Sequence, residues 1–148
     1  MWQSAEESSL DAWFEKYESY NRPERSISYY DKGQIIGEML DLTIRDATDN
    51  HKSLDDVLRL MNEKYAKQGK FYDETVDIRA AVEEVAGKSF QDFFQQYVSG
   101  VDEIPYNDLL GIAGLQLKTD TGYSISEIPH PTDRQRRIRE GFLHGTND

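Results

Sequence analysis

No cysteine occurs among the 148 residues, which removes disulfides, thiolate nucleophiles and thiolate metal sites at once. The sequence also lacks a His-Glu-x-x-His pair, a Gly-rich phosphate loop and a Gly-x-Ser-x-Gly elbow. It therefore carries none of the local signatures of a self-contained zinc hydrolase, nucleotide binder or serine hydrolase. Positive charge is scarce: 17 Lys and Arg stand against 28 Asp and Glu, a net charge of -11. That balance disfavours nucleic acid and anionic membrane surfaces as partners, since both need a basic footprint. No apolar run approaches the roughly 18 residues of a membrane span. The opening Met1-Trp2-Gln3-Ser4-Ala5-Glu6-Glu7 has no basic segment leading into an apolar one, so it is no signal peptide and reads as a cut inside a longer chain. None of these absences assigns a compartment.

What is present is helical periodicity. Leu10, Trp13, Phe14 and Tyr17 recur at helical spacing over Ser9 to about Ser19, with Ser9 as the expected N-cap; Asn21-Arg22-Pro23 breaks the run. Tyr29 to about Arg45 is the most apolar stretch, and Ile35, Ile36, Met39, Leu40, Leu42 and Ile44 cover more than one face, which predicts a central, largely buried helix. Gly33 and Gly37 lie four apart on it, either as a close backbone contact or as space left for a substrate. Ser53-Leu54-Asp55-Asp56 predicts a capped helix start, Gly87 the end of a fourth helix, and Phe90, Phe93, Phe94, Tyr97 and Val98 an aromatic core stripe on a fifth. Pro105 opens a short sixth helix. Beyond Gly114 the pattern changes to two alternating runs, Leu115–Lys118 and Tyr123–Ser126, around Asp120-Thr121-Gly122, which predicts a hairpin. Thr132 to Phe142 holds four arginines and has room for a short basic helix, in a tail that reads as a solvated linker or an edge and not as a basic binding site. The expected fold class is all-α, a multi-helix bundle of five to six helices with a small C-terminal β-prone segment. Residues 1–114 form the helical lobe and 115–148 a connection and tail.

Few residues carry chemistry. His51, His130 and His144 are scattered, with no ligand partner at metal spacing, so the chain itself is expected to hold no metal and no cofactor. Asp41 and Arg45 read as an i,i+4 surface pair, and Glu83-Glu84 as a solvated face. Tyr30 remains, in Ser28-Tyr29-Tyr30-Asp31-Lys32-Gly33 at a helix start. On pattern alone it is either a buried aromatic whose hydroxyl serves a backbone group or a fixed hydrogen-bond donor in a cleft. Lys32 reads as a lysine paired with Asp31 or a nearby acid.

Ser26-Ile27-Ser28-Tyr29-Tyr30-Asp31-Lys32-Gly33, then Leu40-Asp41-Leu42-x-Ile44-Arg45, Lys52 to Val57, Ala80 to Gly87, Phe90-x-x-Phe93-Phe94-x-x-Tyr97-Val98-x-Gly100, Pro105-Tyr106 and Ala113-Gly114-Leu115 resemble, in that order, the glycyl aminopeptidase family of zinc metallopeptidases. The resemblance spans Ser9 to Leu117. It implies a thermolysin-like catalytic domain of which this chain is the C-terminal helical lobe, with the zinc ligands in a preceding lobe and a PDZ domain downstream. Those two modules would be its partners, zinc would be a cofactor of the parent protein alone, and a peptide with a small N-terminal residue such as glycine would be the substrate. Tyr-x-Lys-Gly also resembles the related large zinc aminopeptidases, which implies a catalytic role for Tyr30. A phenol there can stabilise the negative charge that develops on the scissile carbonyl oxygen. Tyr29 is the neighbouring alternative, but one residue turns a side chain about 100° around a helix, so both cannot face one site. By itself the chain is expected to be inactive, and its uncovered apolar face can support a dimer. The alternative function is a non-catalytic, acidic helical interaction module.

Overall fold

The computed structural model describes residues 3–14, 27–120 and 122–145. Among them are seven α-helices and one two-stranded sheet, as the helical periodicities and the single alternating segment predict. The helices are α1 (Ala5–Phe14), α2 (Tyr29–Ala47), α3 (Leu54–Lys64), α4 (Val76–Ala86), α5 (Gln91–Phe93), α6 (Tyr106–Gly111) and α7 (Asp133–His144); β1 (Leu115–Lys118) and β2 (Ser124–Glu127) pair antiparallel between α6 and α7. The chain divides into two compact units, Met1–Glu38 with Phe90–Ile104 and Met39–Ser89 with Pro105–Asp148.

In the first unit α1 starts earlier than expected. Ser4, not Ser9, is its cap: Glu7 N donates to Ser4 Oγ at 3.0 Å and Ser4 N to the Glu7 carboxylate at 3.0 Å. This reciprocal pair satisfies two amides that Ser9, already inside the helix, cannot reach. Residues 15–26, and with them Tyr17, the expected helix end near Ser19 and the Asn21-Arg22-Pro23 break, lie outside the described residues. The aromatic stripe is core, as predicted: Phe90 and Phe94 are buried, and Phe93 stacks edge-on against Tyr97 at 5.2 Å between ring centres. Its backbone differs from the regular helix expected, because α5 widens into a π turn over Phe94–Val98. Gly100 is required where the chain leaves that turn, since a Cβ would lie 2.4 Å from the Gln95 carbonyl oxygen.

In the second unit the end of α2 supplies buried Met39, Leu40, Leu42 and Ile44. The Ser53/Asp56 box caps α3 as predicted. Burial opposes ionisation of Asp56, but the bond from Ser53 N and the neighbouring Lys52 outweigh it and hold the carboxyl below its ordinary value. Gly87 ends α4 in the left-handed conformation (φ 69°). In the hairpin Leu117 faces Ile125, and the second strand lies one residue later than the alternation suggested.

Two expectations are corrected here. Asp41 and Arg45 are not a surface pair: their side chains are 13% and 4% exposed and meet at 2.7 Å. Asp41 Oδ1 also accepts from Leu54 N at 2.7 Å, and Arg45 Nη1 donates to Asn50 Oδ1 at 2.9 Å. The basic stretch after Pro129 is not a solvated linker. It forms α7, whose Ile138 is fully buried, and Arg134 pins it to the end of α2 by bonds to Asp46 (2.7 Å to the carboxylate, 2.8 Å to the carbonyl) and to Asp49 (3.1 Å). The burial of one apolar side chain and the capping of α2's free carbonyls explain the docking.

Gly141 is where α7 meets the Arg45–Asn50 bond: a Cβ there would lie 2.6 Å from Arg45 Nη1 and 2.6 Å from Asn50 Oδ1. The Arg45 side chain is fixed at both ends and cannot swing aside. Gly141→Ala is therefore expected to destabilise the protein by about 1–3 kcal/mol, the usual cost of overpacking. Urea unfolding checks this, and an unchanged midpoint would contradict the tight contact.

Candidate functional site

The start of α2 is fixed by its own first turn. Ser28 caps it, with Asp31 N donating to Ser28 Oγ at 3.2 Å and Lys32 N to the Ser28 carbonyl at 3.0 Å. The segment before it is tied to α1 by Ser8 Oγ, which donates to the Ile27 carbonyl at 2.6 Å. Tyr29 and Tyr30 are thus the first two helical residues, at the positive end of the helix dipole.

Tyr30 is 67% exposed, which overturns the reading of it as a buried aromatic. Its ring leans on that of Tyr29, 4.1 Å between centres at 33°, while Tyr29 itself is half-buried. The phenol is held from one side and open on the other. Gly33 and Gly37 follow at the i+3 and i+7 positions, on the same face as Tyr30. A Cβ at either would meet no described atom within 4 Å. Among the described residues, then, nothing makes the close contact with the two glycines that their spacing permits.

Lys32 forms no ion pair with Asp31 or another acid among the described residues, contrary to expectation. Partial burial pushes its ammonium below the usual lysine value. Of the histidines, His51 Nδ1 lies 2.8 Å from the Thr48 carbonyl, His144 Nε2 lies 3.8 Å from Glu140, and His130 sits in a left-handed turn. Among the described residues no group of three or more His, Asp or Glu is placed to hold a metal ion. Glu84 is paired with Lys64, and Glu83 accepts from Ser89 Oγ at 3.2 Å.

A family model for the M61 glycyl aminopeptidases matches residues 1–36. No curated protein and no solved structure matches the chain. The matched stretch contains the start of α2, with Tyr29, Tyr30, Lys32 and Gly33, and stops before Gly37. It points to a peptidase-related protein and leaves the later segments of the resemblance outside it.

Proposed function

We propose that this chain is the C-terminal helical lobe of the catalytic domain of a zinc aminopeptidase that removes small N-terminal residues such as glycine. Tyr30 is the residue it contributes to the reaction. The observation that carries the reading is an exposed tyrosine on the second residue of a capped helix, inside the stretch that the peptidase family matches and followed by two glycines that no described atom crowds.

The zinc ion, held by a preceding lobe, supplies the Lewis acidity and the activated water of the hydrolysis. The part of this chain is positional and electrostatic. The capped first turn and the Tyr29 ring hold the Tyr30 phenol before substrate arrives, so its O–H donates to the scissile carbonyl oxygen with little reorganisation as charge builds there. The helix terminus adds a partial positive charge of the same sense. Gly33 and Gly37 leave room for the backbone of a peptide along the same face. A PDZ domain following the chain completes the proposed parent.

The test is hydrolysis of an N-terminal glycyl peptide by the natural polypeptide that carries this chain. Activity lost to a chelator and restored by zinc is expected, whereas the 148-residue chain alone should cleave nothing and take up no stoichiometric zinc. A natural polypeptide without zinc-dependent hydrolysis would refute the proposal and favour the helical interaction module.

A further inference from the structure

Against the acidic character of the whole chain, a groove of about 550 Å³ within the second unit is lined by Arg136, Arg137, Glu140 and His144 of α7 and by Asp49 and His51 of the loop after α2. The loop wall is held in place by specific bonds. Asp49 and Asn50 are both left-handed, with φ of 50° and 68°, a conformation that costs a non-glycine residue energy and persists only where the surroundings fix it. Asn50 supplies that fixing: it accepts from Arg45 Nη1 at 2.9 Å and donates to the Arg137 carbonyl at 2.9 Å. His51 is set by the contact of its Nδ1 with the Thr48 carbonyl at 2.8 Å. With Nδ1 donating there, Nε2 is the ring atom left for a ligand, and it donates to an oxyanion only when the ring is protonated.

The arginines and acids lining the groove are equal in number, and the ion pairs around it are exposed or long. Asp49 is claimed first by Arg134, at 3.1 Å, and Arg134 is also held by Asp46. Arg137 lies 3.8 Å from Asp49, beyond hydrogen-bond reach. Arg136 meets Asp133 at 2.7 Å, but Asp133 is 89% exposed, and such a pair in water holds weakly. Among the described residues Glu140 lines the groove without an arginine partner, opposite His144 at 3.8 Å. Each guanidinium carries five N–H donors, so Arg136 and Arg137 both keep donors for a ligand beyond these pairs. Arginine's planar fork is suited to two parallel bonds with an oxyanion. The volume is that of a small-molecule site and exceeds the needs of a bare inorganic ion.

We propose that this groove binds a small organic oxyanion, a carboxylate or a phosphate monoester, with Arg136 and Arg137 holding the charged group and the two imidazoles flanking it. The site stands independently of the peptidase reading, which neither needs nor implies it.

The probes are benzoate and phenyl phosphate, which share an organic body and differ in the oxyanion. Each is titrated into the intact chain while the His51 and His144 ring resonances are followed by NMR. Saturable binding of at least one probe with shifts at both rings is expected, and which probe binds identifies the oxyanion. The double substitution R136Q/R137Q should weaken binding at least about tenfold, the scale of lost charge-assisted hydrogen bonds. Both side chains are about half exposed, and Arg137 serves the fold through its carbonyl, so this variant keeps its structure. E140Q, which removes the competing carboxylate, should tighten binding. K118Q, a charge removed outside the groove lining, should leave it unchanged. Absence of saturable binding, equal affinity in R136Q/R137Q, weaker binding in E140Q, or an equal loss in K118Q would each overturn the proposal.

Discussion

Asp41→Ala is expected to lower the stability of the chain by about 3–5 kcal/mol, the scale of breaking a buried ion pair from one side. Both carboxylate oxygens are committed. One meets Arg45 Nε at 2.7 Å, and the other accepts from the Leu54 amide at 2.7 Å, at the first turn of α3. Among the described residues, removing them leaves an almost wholly buried guanidinium with only Asn50 for a partner, and the Leu54 amide with none. Domains of this kind have about 5–15 kcal/mol in total, so the loss is a fifth of it or more. Asp41→Asn retains acceptor capacity for one of the two donors and should cost less. Replacing both partners, as in Asp41→Leu with Arg45→Met, should recover much of the loss, because no charge then remains buried. Urea midpoints at constant m-value measure all three. A loss below about 1 kcal/mol for Asp41→Ala would place the pair in the solvent-exposed class, against the geometry.

That pair also shows where sequence reasoning stops. Opposite charges at i,i+4 read as a solvated face, because most such pairs are. Nothing local to Asp41 or Arg45 announces that the turn at Asp49-Asn50 and α7, some 90 residues on, will close over them. The apolar run of α2, the Ser53/Asp56 cap, the Gly87 stop and the hairpin were legible, since each depends on neighbours within a few residues. The docking of α7 was not: its buried face rests on Ile138 and Gly141 among arginines, too few apolar positions to set a period. One signal was available. Thr132-x-x-Gln135 is a capping box, and in the structure both of its bonds form. Ser4-x-x-Glu7 is another, and it outranks Ser9 as the start of α1. The π turn at Phe94 has no signature in the residues that make it.

For the candidate site, the place of Tyr30 at a helix start was readable from Ser28 and the apolar run that follows. Its exposure was not, because an aromatic beside another aromatic is ordinarily core. The two glycines illustrate the same limit. Their spacing permits a close contact or an open face, and only the surrounding chain decides which.

Tyr30→Phe in the natural polypeptide is expected to reduce kcat for a glycyl substrate by about 10²–10³-fold, the cost of losing one donor to a developing oxyanion. The substitution removes the hydroxyl and keeps the ring, so the contact with Tyr29 survives. An exposed hydroxyl with no hydrogen bond to a described residue contributes little to folding, and stability should be unchanged. KM should also change little, because the bond strengthens only as charge develops. Tyr29→Phe is the matched control: it lies about 100° away around α2 and should leave kcat near the wild-type value.

The most direct measurement is therefore kcat for the Tyr30→Phe and Tyr29→Phe forms side by side, at saturating glycyl substrate and with zinc supplied. A large loss confined to Tyr30→Phe, at unaltered KM and unfolding midpoint, is the predicted result. Equal kcat values for wild type and both variants would contradict the account and return Tyr30 to the surface of a helical lobe without a part in the reaction.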